Sequence, residues 1–166
     1  RIIVSDTHDN LINFQEMICW AKNNKVRILI HCGDIFSPIT LKTAIKNFSG
    51  KSYIVLSDVD TDYFKIDKDL FADFYQLKVW EEFGEIKIDA KKIAFTHFPE
   101  FAKGLAATGK YDLVFYGHTH KPWLEKIGKT KLVNPGNLSG LFYKPTFALY
   151  DTKTDKLELK ILENLK

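Results

Sequence analysis

The first third of the chain alternates short apolar runs with segments whose apolar residues follow helical spacing. One helical segment begins behind Asn10, a residue type that favours helix N-caps. Pro38 suits the first turn of a second helix. Three apolar runs predict buried strands, at residues 2–5, 26–31 and 53–56. Strands that alternate with helices in this way favour parallel pairing within one sheet.

Strands become more frequent than helices in the rest of the chain. Polar and apolar residues alternate through 84–89. After a short turn, residues 93–96 form a further apolar run, and the two segments together predict a β-hairpin. A helix is predicted from Pro99 to a stop at Gly109. Residues 61–76 fit no strand pattern, and their aromatic content predicts a packed helix or cap. Five more strands are predicted, at 113–116, 123–127, 131–134, 146–150 and 157–162.

Composition and charge narrow the class of protein and of partner. No repeat or linker divides residues 1–166, so we expect a single domain of α/β class. The net charge is only +3 and the lysines are scattered, which does not favour nucleic acid binding. No apolar run approaches the ~20 residues of a membrane span. Cys19 and Cys32 lie in apolar stretches and predict two buried thiols, which favours a cytoplasmic protein. A homodimer is compatible with the sequence.

Acidic residues and histidines follow the predicted strands at the points where these strands end. The motifs are Asp-x-His, Gly-Asp, Ser-Asp-Val-Asp, Thr-His and Gly-His-Thr-His, in that order along the chain. Because the carboxyl ends of parallel strands share one edge of a sheet, we expect these side chains to converge. The candidate ligands are Asp6, His8, Asp34, Asp58, His97, His118 and His120.

This set of side chains predicts a centre with two metal ions. Carboxylates and imidazoles suit transition metals better than Ca²⁺, and we expect Mn, with Fe, Zn or Ni as alternatives. Seven ligands are too many for one ion, whereas two ions ~3.5–4 Å apart and bridged by one carboxylate would use them all. Each motif alone is common in turns, and only their joint occurrence points to metal. His31 lies inside an apolar strand and is interpreted as a hydrogen-bonded core residue rather than a ligand.

Taken together, these motifs resemble those of the calcineurin-like metallophosphoesterase superfamily. The resemblance covers residues 5–137. The Asn-Pro-Gly sequence at 134–136 resembles that of the small bacterial and archaeal phosphodiesterases in the superfamily. It implies a four-layer α/β/β/α sandwich with two mixed sheets. It also implies that Asp6, His8 and His120 bind one metal ion, that Asp34 bridges, and that Asp58, His97 and His118 bind the other.

The predicted reaction is hydrolysis of a small phosphate ester, most simply a phosphodiester. Metal-bound hydroxide would attack phosphorus in line while the ions neutralise the phosphoryl oxygens. We expect Asp34, Asp58 and His97 to take part in catalysis, with Asp34 setting the spacing between the ions.

One motif departs from the family pattern. The family has Gly-Asn where this chain has Ser57-Asp58, so a carboxylate replaces an amide that could donate a hydrogen bond to phosphate. The extra negative charge should hold the metals more firmly and an anionic substrate less so. Val59 stands where larger members have a histidine that protonates the leaving group, and Asp60 is expected to steady the loop or a metal-bound water.

Two other functions are compatible with parts of this pattern. One alternative is a non-catalytic scaffold that keeps the fold and resembles the retromer subunit of the superfamily. The changes at Asp58 and Val59 favour that alternative. The complete set of histidine ligands favours catalysis. A nuclease is disfavoured because the chain has no basic block and no added DNA-binding region.

Overall fold

The computed structural model describes residues 1–64 and 74–165, which form eleven strands, four α-helices and a final 3-10 turn at Leu162–Asn164. In chain order the elements are β1 (Ile2–Val4), α1 (Leu11–Asn23), β2 (Ile28–His31), α2 (Pro38–Ile45), β3 (Lys51–Val55), α3 (Asp58–Phe64), β4 (Leu77–Trp80), β5 (Phe83–Ile88), β6 (Lys91–Thr96), α4 (Pro99–Ala107), β7 (Leu113–Phe115), β8 (Trp123–Ile127), β9 (Thr130–Asn134), β10 (Thr146–Asp151) and β11 (Lys156–Ile161).

The strands form two mixed sheets. The first sheet has the order β11-β10-β1-β2-β3-β4, and the second has the order β5-β6-β7-β9-β8. Strands β1 to β4 are parallel to one another, which confirms the pairing predicted for the first third of the chain. Strands β6, β7 and β9 are also parallel. Each sheet therefore has an edge at which several strands end together.

Three buried clusters of apolar side chains separate the layers. Residues such as Ile3 and Phe95 pack between the two sheets. Phe14 and Met17 of α1 pack with α2 on the outer face of the first sheet. Leu105 of α4 packs on the outer face of the second sheet. The order of layers is helix, sheet, sheet, helix, which confirms the predicted four-layer sandwich.

Local chemistry explains where the first helix begins and which side it buries. The side chain of Asn10 caps α1 by accepting a hydrogen bond from the Asn13 amide at 3.1 Å. The buried stripe of the helix consists of Phe14, Met17, Ile18 and Ala21. Cys19 lies off this stripe and is exposed, so the prediction of two buried thiols is wrong for Cys19. Cys32, which directly follows β2, is buried as predicted.

The segment after β3 differs most from the sequence-based expectation. Asp58 is the first residue of helix α3 rather than part of a strand-end loop. Strand β4 was not predicted, because it lies at the edge of the sheet and the side chains of Lys78 and Val79 are exposed. The helix or cap predicted for 61–76 is helical at 61–64, and residues 65–73 lie outside the described residues. None of the described helices is both long and apolar enough to cross a membrane.

Candidate metal centre

Six of the seven predicted ligands lie together where β1, β2, β6 and β7 end. Their possible ligand atoms form two groups in which all atoms lie within 4.8 Å of one another. The first group is Asp6, His8, Asp34 and His120, and the second is Asp34, His97 and His118. Asp34 belongs to both groups.

Asp34 directs one carboxylate oxygen toward each group. Its Oδ2 lies 3.6 Å from His8 Nε2, and its Oδ1 lies 3.4 Å from His97 Nε2. In the first group, His120 Nε2 lies 3.4 Å from Asp6 Oδ1 and 3.0 Å from His8 Nε2. In the second group, His118 Nδ1 lies 3.3 Å from His97 Nε2. A carboxylate placed in this way can bridge two cations.

Asp58 does not join either group. Its side chain is exposed and lines a neighbouring cavity together with Glu81, Glu82 and Phe98. Its role as a metal ligand therefore stays a prediction. Val59 is 39% exposed and offers no proton to a leaving group.

Backbone carbonyls orient two of the candidate histidine ligands. His97 is buried, and its Nδ1 lies 2.8 Å from the Cys32 carbonyl oxygen. A carbonyl can only accept, so Nδ1 carries the proton and Nε2 presents a lone pair to the site. His120 Nδ1 makes a longer contact of 3.5 Å with the Leu141 carbonyl oxygen. Such partners fix the ring orientation that a metal ligand requires.

His31 links the loops that carry the first candidate ligands. Its Nδ1 accepts a hydrogen bond from the Gly33 amide at 3.2 Å, so its Nε2 carries the proton and donates to Thr7 Oγ1 at 2.6 Å. Burial lowers the pKa of His31 to about 3, so the ring is neutral. The prediction of a hydrogen-bonded core histidine is confirmed. The sequence did not show that it joins Thr7, which lies between Asp6 and His8, to the residue before Asp34.

Asp60 fixes the loop that follows Asp34. Its Oδ1 accepts hydrogen bonds from the amides of Ile35 at 2.9 Å and Phe36 at 2.7 Å. Its Oδ2 accepts another from the Ser57 amide at 3.1 Å. Asp60 is fully buried, so these three bonds replace the hydration that its carboxylate loses. This confirms the expectation that Asp60 steadies the loop.

The Asn-Pro-Gly sequence positions the loop of the two late histidines. Asn134 Nδ2 donates to the Gly117 carbonyl oxygen at 2.9 Å and to Thr119 Oγ1 at 3.0 Å. Its Oδ1 accepts from the Gly136 amide at 2.8 Å. One buried amide thus ties the end of β9 to the turn that carries His118.

The backbone of this region has an unusual conformation. Five candidate ligands have positive φ angles: Asp6, His8, Asp34, His118 and His120. Aspartate and histidine tolerate the left-handed region better than most residues, but several such positions in one site indicate a functional constraint. Gly33 has a φ of 90°, and a Cβ at this position would lie 2.7 Å from His97 Nδ1. The glycine of the Gly-Asp motif therefore gives His97 room to approach.

Burial determines the protonation of the groups in the site. It raises the pKa of Asp6 to about 8, and the nearby Asp34 carboxylate adds to this increase. Burial also lowers the pKa values of His8 and His97. Neutral imidazoles keep a lone pair free, and a bound cation would favour the ionised form of each carboxylate. The donor set and the shared Asp34 therefore fit two divalent ions.

Comparison with known proteins identifies the family. The sequence-family model of the calcineurin-like phosphoesterase superfamily domain matches residues 1–155 of this chain. The chain belongs to this superfamily. A phosphodiesterase of Methanocaldococcus jannaschii is 30% identical over 164 residues, which are 97% of this chain and 98% of that protein. The resemblance predicted from the strand-end motifs is thus confirmed.

Solved structures of other proteins share the fold of this chain. An archaeal phosphodiesterase matches with a TM-score of 0.86 and 28% identity, over 96% of this chain and 98% of the other. Vacuolar protein sorting 29 of Cryptosporidium parvum matches with a TM-score of 0.67 and 20% identity, over 96% of this chain and 94% of the other. At that identity the second match shows a shared fold alone.

Proposed function

We propose that this calcineurin-like phosphoesterase is a phosphodiesterase with two metal ions. The observation that carries the proposal is the position of Asp34, whose two oxygens face two separate groups of ligands. In this proposal, Asp6, His8 and His120 share the first ion with Asp34, and His97 and His118 share the second. When bound, two divalent ions would supply a hydroxide nucleophile near neutral pH and offset the charge of the phosphoryl oxygens.

The residues of the chain contribute by orientation. Asp34 sets the separation of the two groups, and the Cys32 carbonyl keeps the Nε2 atom of His97 directed into the site. The left-handed turns at Asp6 and His118 set the directions in which their side chains leave the backbone. Preorganised ligands reduce the free energy that ion and substrate binding would otherwise spend on ordering the loops.

A non-catalytic scaffold remains the second candidate. It is compatible with the shared fold of vacuolar protein sorting 29 and with Asp58 in place of the family asparagine. A scaffold does not require six ligand side chains to converge, whereas the described residues bring them together. The geometry therefore favours the enzyme.

The metal content and the activity of Asp34→Asn test this proposal. The protein reconstituted with Mn²⁺ and desalted should contain about two equivalents of metal per chain and should hydrolyse bis(p-nitrophenyl) phosphate. Asp34→Asn should lower both the metal content and kcat/KM, the latter by several orders of magnitude, because one side chain serves both ions.

Asp62→Asn is the matched control, since it makes the same chemical change at an exposed carboxylate of α3. It should retain both the metal and the activity. One equivalent of metal or none in the unmodified protein would contradict the dinuclear centre, and full activity of Asp34→Asn would exclude Asp34 as the bridging ligand.

A further inference from the structure

Phenylalanine side chains contact both groups of candidate ligands. The ring centroid of Phe98 lies 4.9 Å from that of His97 and 5.4 Å from that of His118. On the side of the first group, the ring centroid of Phe142 lies 5.6 Å from that of His120. Each group of ligands therefore has an aromatic ring beside it.

Phe142 is exposed at a cost in free energy. Its side chain is 88% accessible to solvent, and its backbone has a φ of 65°. Bulky residues rarely adopt the left-handed region. The exposed ring is not isolated, because its neighbours Leu141 and Tyr143 are each 47% exposed as well, and a contiguous apolar patch favours a contact site. Apart from its contact with His120, the Phe142 ring is open to solvent, so it can contact a molecule bound beside the first group.

The loop around Phe142 is held by specific hydrogen bonds. Asn137 Oδ1 accepts from the Gly140 amide at 2.6 Å and from Ser139 Oγ at 2.8 Å. The Tyr143 amide donates to the Leu141 carbonyl oxygen at 2.8 Å, and the same oxygen contacts His120 Nδ1. The loop that orients a candidate ligand thus also presents the Phe142 ring beside it.

Phe98 borders a cavity on the other side of the centre. The cavity has a volume of about 450 Å³, which is large enough for an aromatic ring. Phe98, Phe101 and Leu56 form its apolar lining, and Asp58, Thr61, Glu81 and Glu82 complete it. The three carboxylates would repel a negatively charged group. The apolar part of the lining, Phe98, Phe101 and Leu56, suits a planar apolar group.

We propose that Phe98 and Phe142 hold the two ester groups of the substrate, and that the substrates are phosphodiesters carrying uncharged planar apolar groups. This inference rests on the proposed function, because it requires the phosphate to lie between the two groups of ligands. A phosphate in that position has one ester group on the side of each ring. Aromatic contacts of this kind favour planar groups over small aliphatic ones.

Two phosphinates provide a test that does not depend on catalysis. Diphenylphosphinate and dimethylphosphinate carry the same charge and cannot be hydrolysed, because their substituents are joined to phosphorus through carbon. Titration calorimetry on the Mn-loaded protein should show that the diphenyl compound binds at least about tenfold more tightly. Phe142→Asn, which tolerates the positive φ, and Phe98→Leu should each reduce this ratio about two- to tenfold. Dimethylphosphinate should bind all variants equally.

Leu159→Ala is the control, since it removes an apolar side chain that is 49% exposed on β11 and belongs to neither group of candidate ligands. It should leave the ratio unchanged. Equal affinity for the two phosphinates, or a ratio that survives both phenylalanine substitutions, would overturn the inference.

Hydrolysis separates this inference from the proposed function. Methyl p-nitrophenyl phosphate and phenyl p-nitrophenyl phosphate each have one p-nitrophenolate leaving group, and they differ in the ester group that stays on phosphorus. A higher kcat/KM for the aryl compound supports the inference. Equal values overturn it and leave the phosphodiesterase proposal standing, whereas no hydrolysis of either compound contradicts the proposed function itself.

Discussion

Of the seven predicted ligands, Asp58 is the one that does not lie with the others in the structure. The sequence predicts a ligand, but the side chain is exposed at the start of α3 and lines a cavity beside the two groups. Its negative charge lies in the same cavity as Phe98, whose ring contacts His97 and His118. Asp58 therefore acts either as a ligand or only through its charge.

Asp58→Asn distinguishes these two roles. From its position we expect the variant to retain Mn²⁺ as well as the unmodified protein does and to show a lower KM for an anionic diester. Removal of one charge from a partly solvated position is worth on the order of 1 kcal/mol, or about fivefold in KM. Metal retention and steady-state kinetics are the measurements. Loss of about one equivalent of Mn²⁺ would show instead that Asp58 is a ligand.

At the scale of secondary-structure elements, Asp60 connects the start of α3 with the loop that follows β2. Asp60→Asn replaces one acceptor oxygen with a donor and leaves at least one buried amide without a partner. We expect this change to loosen the loop of Asp34 and to weaken Mn²⁺ retention about 10- to 100-fold. Competition with a chelator measures the retention, and Asp62→Asn again serves as the control. Unchanged retention would mean that the loop keeps its geometry without Asp60.

The elements that the sequence predicted are those with a strong local pattern. Helix α1 has an N-cap at Asn10 and one buried stripe, and the hairpin of β5 and β6 alternates clearly. Strand β4 lacked such a pattern because its pairing with β3 holds it at the sheet edge while its middle side chains face solvent. Local pattern does not report such tertiary pairing.

The candidate site shows the same division. Ligand types could be read from the strand-end motifs, because parallel strands bring their carboxyl ends together. The roles of His31 and Leu141 could not, because one acts through contacts between distant loops and the other through a backbone carbonyl. Phe142 gave no signal, since its exposure depends on how the loop after β9 is folded.

At the scale of the whole molecule, Asp155 joins the two sheets at the end opposite the candidate metal centre. It lies in the turn between β10 and β11 and accepts hydrogen bonds from Lys131 of β9 at 2.6 Å and from the Tyr150 hydroxyl at 2.6 Å. Lys91 of β6 lies 3.3 Å away. The Lys131 ammonium, followed by the Tyr150 hydroxyl, lowers the pKa of Asp155 below its usual range.

Asp155→Asn should therefore destabilise the protein in a pH-dependent way. A carboxylate with a lowered pKa contributes stability above its unfolded pKa of ~3.9, and this contribution is lost as pH falls through the folded value. Asn tolerates the positive φ of this turn. We expect the free energy of unfolding to fall by about 1 kcal/mol at pH 7, because the group is partly exposed, and by less below pH 4.

Denaturant unfolding of the unmodified protein and of Asp155→Asn, at pH 7 and at a pH below 4, measures the change in the free energy of unfolding. Glu158→Gln is the control, since Glu158 pairs with Lys156 and Lys160 on the same strand and does not join the sheets. It should change stability less than Asp155→Asn at pH 7. A difference for Asp155→Asn that does not depend on pH would exclude its charge as the cause.

The place of β1 in the first sheet has a consequence for how the chain folds. β1 pairs with β2 on one side and with β10 on the other, and the backbone nitrogen of Arg1 donates to the Tyr150 carbonyl oxygen across 149 positions of sequence. During synthesis, β1 leaves the ribosome long before β10 does, so one of its edges stays unpaired until β10 has emerged. Such high contact order slows folding, and an unpaired strand edge is the kind of surface that promotes aggregation and attracts chaperones. The loop that carries Asp6 also depends on a part of the chain that is made late, because the Asp6 carbonyl oxygen accepts a hydrogen bond from the Ser139 amide.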